Sequence, residues 1–278
     1  MNTAPLLADW NGTVVTLTIN RPAAGNAINL QLAVALRDAI REAIADPGCR
    51  AVVLAANGPV FCGGGDLASI ADAADLQSHV RELALTLHSA MVLVRESQLV
   101  VVAAVAGAAA GAGFALALNA DLVVAGESAR FLAGYLGVGL TPDTGLSYLL
   151  PRVVGAHRAT ELALLGRSLD ARTALEWGIA NEVVADSDVT DRAQELAGTV
   201  AAGPSPAVAE TKRLLREGAA GGAEAASIGD SAGKAWDFRR QLNEEARVIV
   251  EIVVSQDAQR RIHAFLERAG KPAVKAAR

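Results

Sequence analysis

Phe61-Cys62-Gly63-Gly64-Gly65-Asp66-Leu67 and Gly107-Ala108-Ala109-Ala110-Gly111-Ala112-Gly113-Phe114 decide how this chain is read. Each follows an apolar run, Ala51-Val52-Val53-Leu54-Ala55 before the first and Leu99-Val100-Val101-Val102-Ala103-Ala104-Val105 before the second. A strand that feeds a glycine-rich turn and then a helix brings backbone close to a ligand and leaves N–H groups unpaired at the helix start. Two such turns can aim two N–H groups at one oxygen, the construction of an oxyanion hole, which would make the chain an enzyme. Taken alone, Gly111-Ala112-Gly113 also opens a dinucleotide fingerprint, with Glu127 further on, but Leu116 stands where the third glycine belongs. A close helix–strand contact in a buried core is the plainer reading of that turn by itself.

Bulk properties narrow the field. The 278 residues suffice for one large domain, or one domain with an appended piece. Hydrophobic residues make up 52% and aromatics only 4%, an Ala- and Val-rich balance suited to close-packed layers of strand and helix. A net charge of −5 argues against a general nucleic-acid binder and leaves room for a local site for an anionic ligand. Cys49 and Cys62 lack C-x-x-C spacing, so a reduced, cytoplasmic setting is expected. Met1-Asn2-Thr3-Ala4-Pro5 has neither the basic start nor the apolar run of a signal peptide. Leu99 to Leu118 is uncharged and long enough for a membrane helix. Its β-branched first half and its three glycines fit a buried strand turning into a buried helix better, so no membrane partner is expected. His79, His88, His157 and His263 form no pair with zinc-ligand spacing, and no metal is expected.

Along the chain, residues 13–19 alternate like a half-buried strand. A helix follows with Leu32, Leu36, Ile40 and Ile44 on one face, closing at Asp46-Pro47-Gly48. Strand 51–55, a helical stretch from about Leu76 to Arg95, strand 99–105, helix 112–119 and strand 122–125 come next, an α/β order of crossover units. Beyond Gly139, helices are expected over Gly145–Leu150, Ala156–Leu165 and Ala171–Trp177, the last two stopped by Gly166 and Gly178. Residues 179–184 read as a short strand, and Gly203-Pro204-Ser205-Pro206 separates two further helices. Gly218–Gly233 reads as a flexible linker, and Trp236 to Arg268 as helical. The expected division is a core over 1–204 and a helical region over 205–278.

Both turns together resemble the crotonase (enoyl-CoA hydratase/isomerase) superfamily. Further matches are Asn20-Arg21-Pro22 with Asn26-Ala27, Ala120-Asp121, the run from Leu149 to Gly155 with Leu164-Leu165-Gly166 and Trp177-Gly178, and the tail Ala264-Phe265-Leu266-Glu267-Arg268. Each is loose alone; in this order they are specific. The resemblance implies a spiral of repeated β-β-α units with a helical C-terminal region that builds homotrimers or dimers of trimers. It implies an acyl-CoA thioester substrate and no cofactor beyond the CoA moiety. By matching position, Gly65 and Ala112 supply the two oxyanion N–H groups, with Asp66 and Leu67 beside the first. Ala23, Ala24 and Asn26 would run along CoA, and Phe265 and Arg268 would meet its adenine and phosphate end. A core aromatic and a solvated charge are the bland alternatives for that last pair.

The chain departs from the hydratase pattern. Ala115 and Tyr135 stand where hydratases of the family carry glutamates, and Ala68 replaces a basic residue beside the first turn. Hydration needs a base to activate water and a source of the α-proton. Asp143, in Thr141-Pro142-Asp143-Thr144-Gly145, matches the position used by isomerases of the family, the ring-epoxide branch of phenylacetyl-CoA breakdown above all. One base can take a proton from one carbon and return it to another while an oxyanion hole holds the dienolate. An enoyl-CoA isomerase is therefore expected. A hydratase with a non-standard base and a silent acyl-CoA-binding paralogue are the alternatives. Asp143 also reads as a helix N-cap, Tyr135 as a pocket wall, and His79 and His88 as surface or pocket-lining groups.

Overall fold

The structure, a computed structural model, describes residues 4–224 together with Gln256, Ala258 and Arg260. The chain divides into two compact units, Met1–Ala201 and Ala202–Arg278. The first unit opens with β1 (Leu6–Asn11), β2 (Val14–Ile19), α1 (Leu30–Ala45), β3 (Ala51–Ala56), β4 (Val60–Cys62), α2 (Leu67–Ala71) and α3 (Leu76–Glu96). It continues through β5 (Val100–Val105), β6 (Ala108–Ala110), α4 (Ala112–Asn119), β7 (Leu122–Gly126) and β8 (Arg130–Leu132). It closes with α5 (Leu146–Val154), α6 (Ala156–Leu165), β9 (Leu169–Asp170), α7 (Ala171–Glu176), β10 (Glu182–Val184) and α8 (Val189–Ala201).

Six strands form one sheet in the order β1-β2-β3-β5-β7-β10, parallel except for β1. Successive side chains leave a strand on opposite faces, and both faces of β3 and β5 are covered, so these two read as unbroken apolar runs, whereas β1, at the edge of the sheet, is exposed over most of its length. Val52, Leu54, Val101 and Ala103 join the core that includes Leu32, Leu36 and Ile40 of α1 and Leu87 and Met91 of α3. Val53, Ala55, Val102 and Ala104 pack with Val189, Ala193 and Ala197 of α8 on the other face.

A second, smaller sheet, β4-β6-β8-β9, was not visible in the sequence pattern. Its strands have two or three residues, too few for a period to register. β4, β6 and β8 each follow a long strand, β3, β5 and β7, before the next helical segment, the repeated β-β-α pattern that the resemblance implies. The long strands therefore do not feed the glycine turns directly: β4 and β6 intervene.

Two further expectations are corrected. Ile44 is 39% exposed, and Ala43 takes its place in the core. At about 100° per residue, position 44 has rotated some 120° from Leu32, while position 43 comes back nearly in line. Gly218–Glu224 is not linker but the last part of α9 (Ser205–Glu224), which belongs to the second unit. Arg213 bridges Glu210 and Glu217 at 2.8 and 2.7 Å, pairs at i,i+3 and i,i+4 that support a helix through a glycine-containing stretch. The rest of the segment expected as linker lies outside the described residues, as does the helix expected over 236–268 apart from Gln256, Ala258 and Arg260, which are helical. No helix among the described residues is long and apolar enough to cross a membrane.

Candidate active site

The small sheet explains why the two glycine turns meet. β4 pairs parallel with β6, and β6 parallel with β8. Parallel neighbours run out at the same edge, so Gly63–Gly65 after β4, Gly111 after β6 and Tyr135 after β8 all emerge there. Glycine is required where these turns interlock. A β-carbon on Gly107 would stand 1.9 Å from the Pro59 carbonyl oxygen, and one on Gly113 would stand 2.3 Å from that of Cys62. The first clash would keep β6 from β4, and the second would push α4 off it. A β-carbon on Gly64 would lie 3.7 Å from the Ala112 nitrogen and 3.1 Å from the Ala110 carbonyl oxygen, so the turns are in contact at their tips.

The direction of the Gly65 N–H follows from its other neighbour. Ile28 donates to the Gly64 carbonyl at 2.7 Å and accepts from the Asp66 N–H at 3.0 Å, an isolated parallel bridge to Gly65. Residues on either side of 65 point their polar groups at Ile28, so Gly65 points its own N–H the opposite way. On the second turn, Gly111 (φ 52°) begins α4 without a side-chain cap, and its carbonyl accepts from Ala115 N–H at 3.1 Å. The Ala112 N–H lies in the first turn of that helix, where no intrahelical partner exists. Neither the Gly65 nor the Ala112 N–H donates to an acceptor among the described residues. The positive end of the α4 dipole adds to the pull on a nearby anion.

Asp143 does not cap a helix. The N-cap of α5 is Gly145, and no side chain bonds there. The Asp143 carboxylate instead meets His88 of α3, Oδ1 to Nε2 at 2.7 Å, with both side chains open to solvent by 45% and 41%. A carboxylate that exposed can still reach a substrate. Tyr135 bonds the segment that carries Asp143. Its hydroxyl donates to the Asp143 carbonyl at 3.1 Å, and its ring carbon Cζ lies 3.7 Å from where a side chain on Gly111 would begin. Burial pushes the phenol up to about 12, so it keeps its proton and remains a donor. Next to Asp143, Thr144 is buried at φ 57°, a left-handed conformation rare for a β-branched residue.

The loop Ala23–Asn26 approaches the first turn from the other side. The Gly63 N–H donates to the Gly25 carbonyl at 3.0 Å. Asn26, fully buried at φ 54°, donates to the Asn57 and Val60 carbonyls and accepts from the Arg21 N–H. Arg21 ties the loop to the turn, bonding the Ala27 carbonyl and the Asp66 carboxylate, the latter at 2.9 Å. Asp66 caps α2 by accepting from Ser69 N–H at 3.1 Å. Burial raises the Asp66 pKa, but the Ser69 N–H and Arg21 outweigh it and hold the carboxyl below its ordinary range.

Leu67 is 48% exposed at the start of α2. Ala115 is fully buried, so one of the two hydratase positions is a small apolar residue and the other, Tyr135, is a phenol. Phe265 and Arg268 lie outside the described residues. No cluster of three metal-ligating side chains occurs among the described residues. An apolar cavity of about 20 Å³ beneath α1 and α3, lined by Leu17, Leu36, Met91 and Leu116 among others, is core packing with room for about one water. The His88 contact was missed because its partner is 55 residues away. Its position beside Leu87 on the buried stripe of α3 was the one available hint.

Known proteins resemble this chain over most of its length. The family model described as enoyl-CoA hydratase/isomerase matches residues 9–273. The chain is 39% identical to a 1,2-epoxyphenylacetyl-CoA isomerase of Escherichia coli, over 69% of this chain and 74% of that protein. It is 34% identical to a 4-chlorobenzoyl coenzyme A dehalogenase of an Arthrobacter species, over 74% of this chain and 75% of that protein. Among solved structures, an enoyl-CoA hydratase of Mycobacterium smegmatis superposes with a TM-score of 0.83 at 30% identity, over 95% of this chain and 96% of that one.

Proposed function

The chain belongs to the enoyl-CoA hydratase/isomerase family, and on that premise we propose that it shifts a double bond in an enoyl-CoA thioester. The thioester oxygen sits between the Gly65 and Ala112 N–H groups. Asp143 removes a proton from one carbon of the acyl chain, and the electron pair moves into a dienolate whose oxygen carries the charge. The same carboxyl returns the proton to another carbon, and the C–S bond is untouched throughout. Donors fixed on the enolate oxygen before the reaction begins do not have to reorganise as charge grows. His88 orients Asp143 from the far side, and Tyr135 fixes the backbone that carries it.

One observation carries this reading over hydration. The Asp143 carboxylate is directed onto His88 at 2.7 Å rather than onto a helix N-terminus, while position 115 is an apolar alanine in the core. A single accessible carboxyl suits a proton that leaves and returns. Hydration asks for a base on water and a proton donor to carbon. Asp143→Asn should abolish conversion of a 3-enoyl-CoA to its 2-enoyl isomer. Rapid hydration of crotonyl-CoA that survives this substitution would contradict the reading.

The His88–Asp143 contact favours one second reading. A carboxylate with an imidazole at 2.7 Å is also a nucleophile and base pair. By analogy with the dehalogenase relative, Asp143 would displace a ring halide from an aryl-CoA, and His88 would activate the water that cleaves the resulting ester. Chloride release from 4-chlorobenzoyl-CoA distinguishes the two.

A further inference from the structure

We propose that Tyr135 is a positioning residue for the base, tying Asp143 to the second half of the oxyanion hole. The inference rests on the assignment of Asp143 as the proton carrier. The distance between the oxyanion donors and the carboxylate must be held constant, yet they lie on separate segments. Ala112 begins α4, whereas Asp143 follows an excursion of the chain from residue 136 to 142. Tyr135 touches both. Its ring lies against Gly111, the residue before the donor, with Cζ 3.7 Å from the position of an added β-carbon. Its hydroxyl donates to the Asp143 carbonyl at 3.1 Å.

The turn it grips is held in an unfavourable conformation. Thr144 keeps a left-handed φ of 57° although it is β-branched and only 2% exposed. Such a conformation persists only where surrounding contacts over-determine it. The Asp143 carbonyl accepts a second bond, from the Leu146 N–H at 3.1 Å, which anchors it to the start of α5. Removing the Tyr135 hydroxyl leaves that anchor and the packed ring in place. Asp143 then gains freedom without the fold being lost. Burial of the phenol, which keeps its proton on, makes the donation independent of pH over the working range.

The test compares wild type, Tyr135→Phe and Asp143→Asn on a substrate deuterated at the donor carbon. Two quantities are read: kcat, and the fraction of deuterium delivered to the product carbon rather than lost to water. The second is a ratio per turnover and does not depend on how much enzyme is folded. Tyr135→Phe is expected to lower kcat about tenfold to a hundredfold, with KM within about twofold, because misplaced catalytic groups cost that much. Deuterium retention should fall with it, since a loosened carboxyl exchanges before it delivers. Placing 4-aminophenylalanine at position 135 restores a donor and should restore both. Unchanged retention and kcat in Tyr135→Phe, with Asp143→Asn inactive, overturns the positioning role alone. Full activity of Asp143→Asn overturns the assignment of the base beneath it.

Discussion

His88 Nε2 and Asp143 Oδ1 are 2.7 Å apart, joining the middle of α3 to the turn before α5 across 55 residues of sequence. The contact sets where the carboxylate points. His88→Ala should lower kcat for isomerisation about tenfold or more, as expected for a misdirected base, with little change in KM. His88→Gln, which can still bond Asp143, should lose less. Steady-state kinetics on both variants checks this. Equal losses would mean that the contact does not orient the base. Under the dehalogenase reading, both substitutions should instead stop halide turnover, because an amide cannot activate water.

The interlock of the two turns predicts a steep glycine requirement. Gly113→Ala puts a methyl 2.3 Å from the Cys62 carbonyl oxygen and 2.6 Å from its β-carbon, both backbone-fixed. Overpacking of this kind costs about 1–3 kcal/mol or more. Gly137→Ala meets nothing within 4 Å and should stay within about 0.5 kcal/mol of wild type. Denaturant unfolding of the two variants reads the difference directly.

Acid should weaken the latch between Arg21 and Asp66. The pair is mostly buried, with side-chain exposures of 20% and 12%. The folded state holds the Asp66 carboxyl below its ordinary range. Its contribution to stability is therefore complete above the ordinary aspartate pKa of about 4 and is lost as pH falls through the lower folded value. Asp66→Asn should cost about 1.5–3 kcal/mol at neutral pH, the range for hydrogen bonds to charged groups, and progressively less below about pH 4. Melting curves of both proteins across that range should converge in acid. A constant gap would show that the carboxylate charge is not what Asn removes.

Replacing alanine at position 112 by its hydroxy-acid analogue turns the amide into an ester and deletes one N–H without adding an atom to the site. Loss of an oxyanion donor costs about 10²–10³ in kcat. The expected result is a loss of that size with binding of the CoA thioester nearly unchanged. A wild-type rate in the ester variant would mean that the thioester oxygen is not held there.

The sequence exposed the glycine turns because their chemistry is local: Gly107 and Gly113 are needed wherever a carbonyl lies 1.9 or 2.3 Å from a would-be β-carbon. β2, β3, β5 and β7 and the helices α1, α3 and α4 showed for the same reason, since periodicity accumulates over five or more residues, whereas β1 carries Asp9 and Asn11 on an exposed edge and did not show. β4, β6, β8 and β9 are too short to show it, so the sheet that brings the turns together stayed hidden. Asp143 was visible by its family position, but its partners were not. His88 reaches it through folding alone, and Tyr135 holds it by a backbone carbonyl that no residue type announces. The alternative reading of Asp143 as a helix N-cap, offered by Pro142-Asp143-Thr144-Gly145, does not hold because Gly145 caps α5 instead. Gly218–Glu224 misled by composition, its glycines outvoted by the helix already running from Ser205.

The most direct measurement of the central assignment is turnover of a 3-enoyl-CoA in water labelled with ¹⁸O, with the product mass followed for wild type and Asp143→Asn. Isomerisation through Asp143 should yield the 2-enoyl-CoA with no added oxygen, and Asp143→Asn should yield none. A product heavier by one labelled water, or undiminished isomerisation by Asp143→Asn, would contradict a proton carried by this carboxylate.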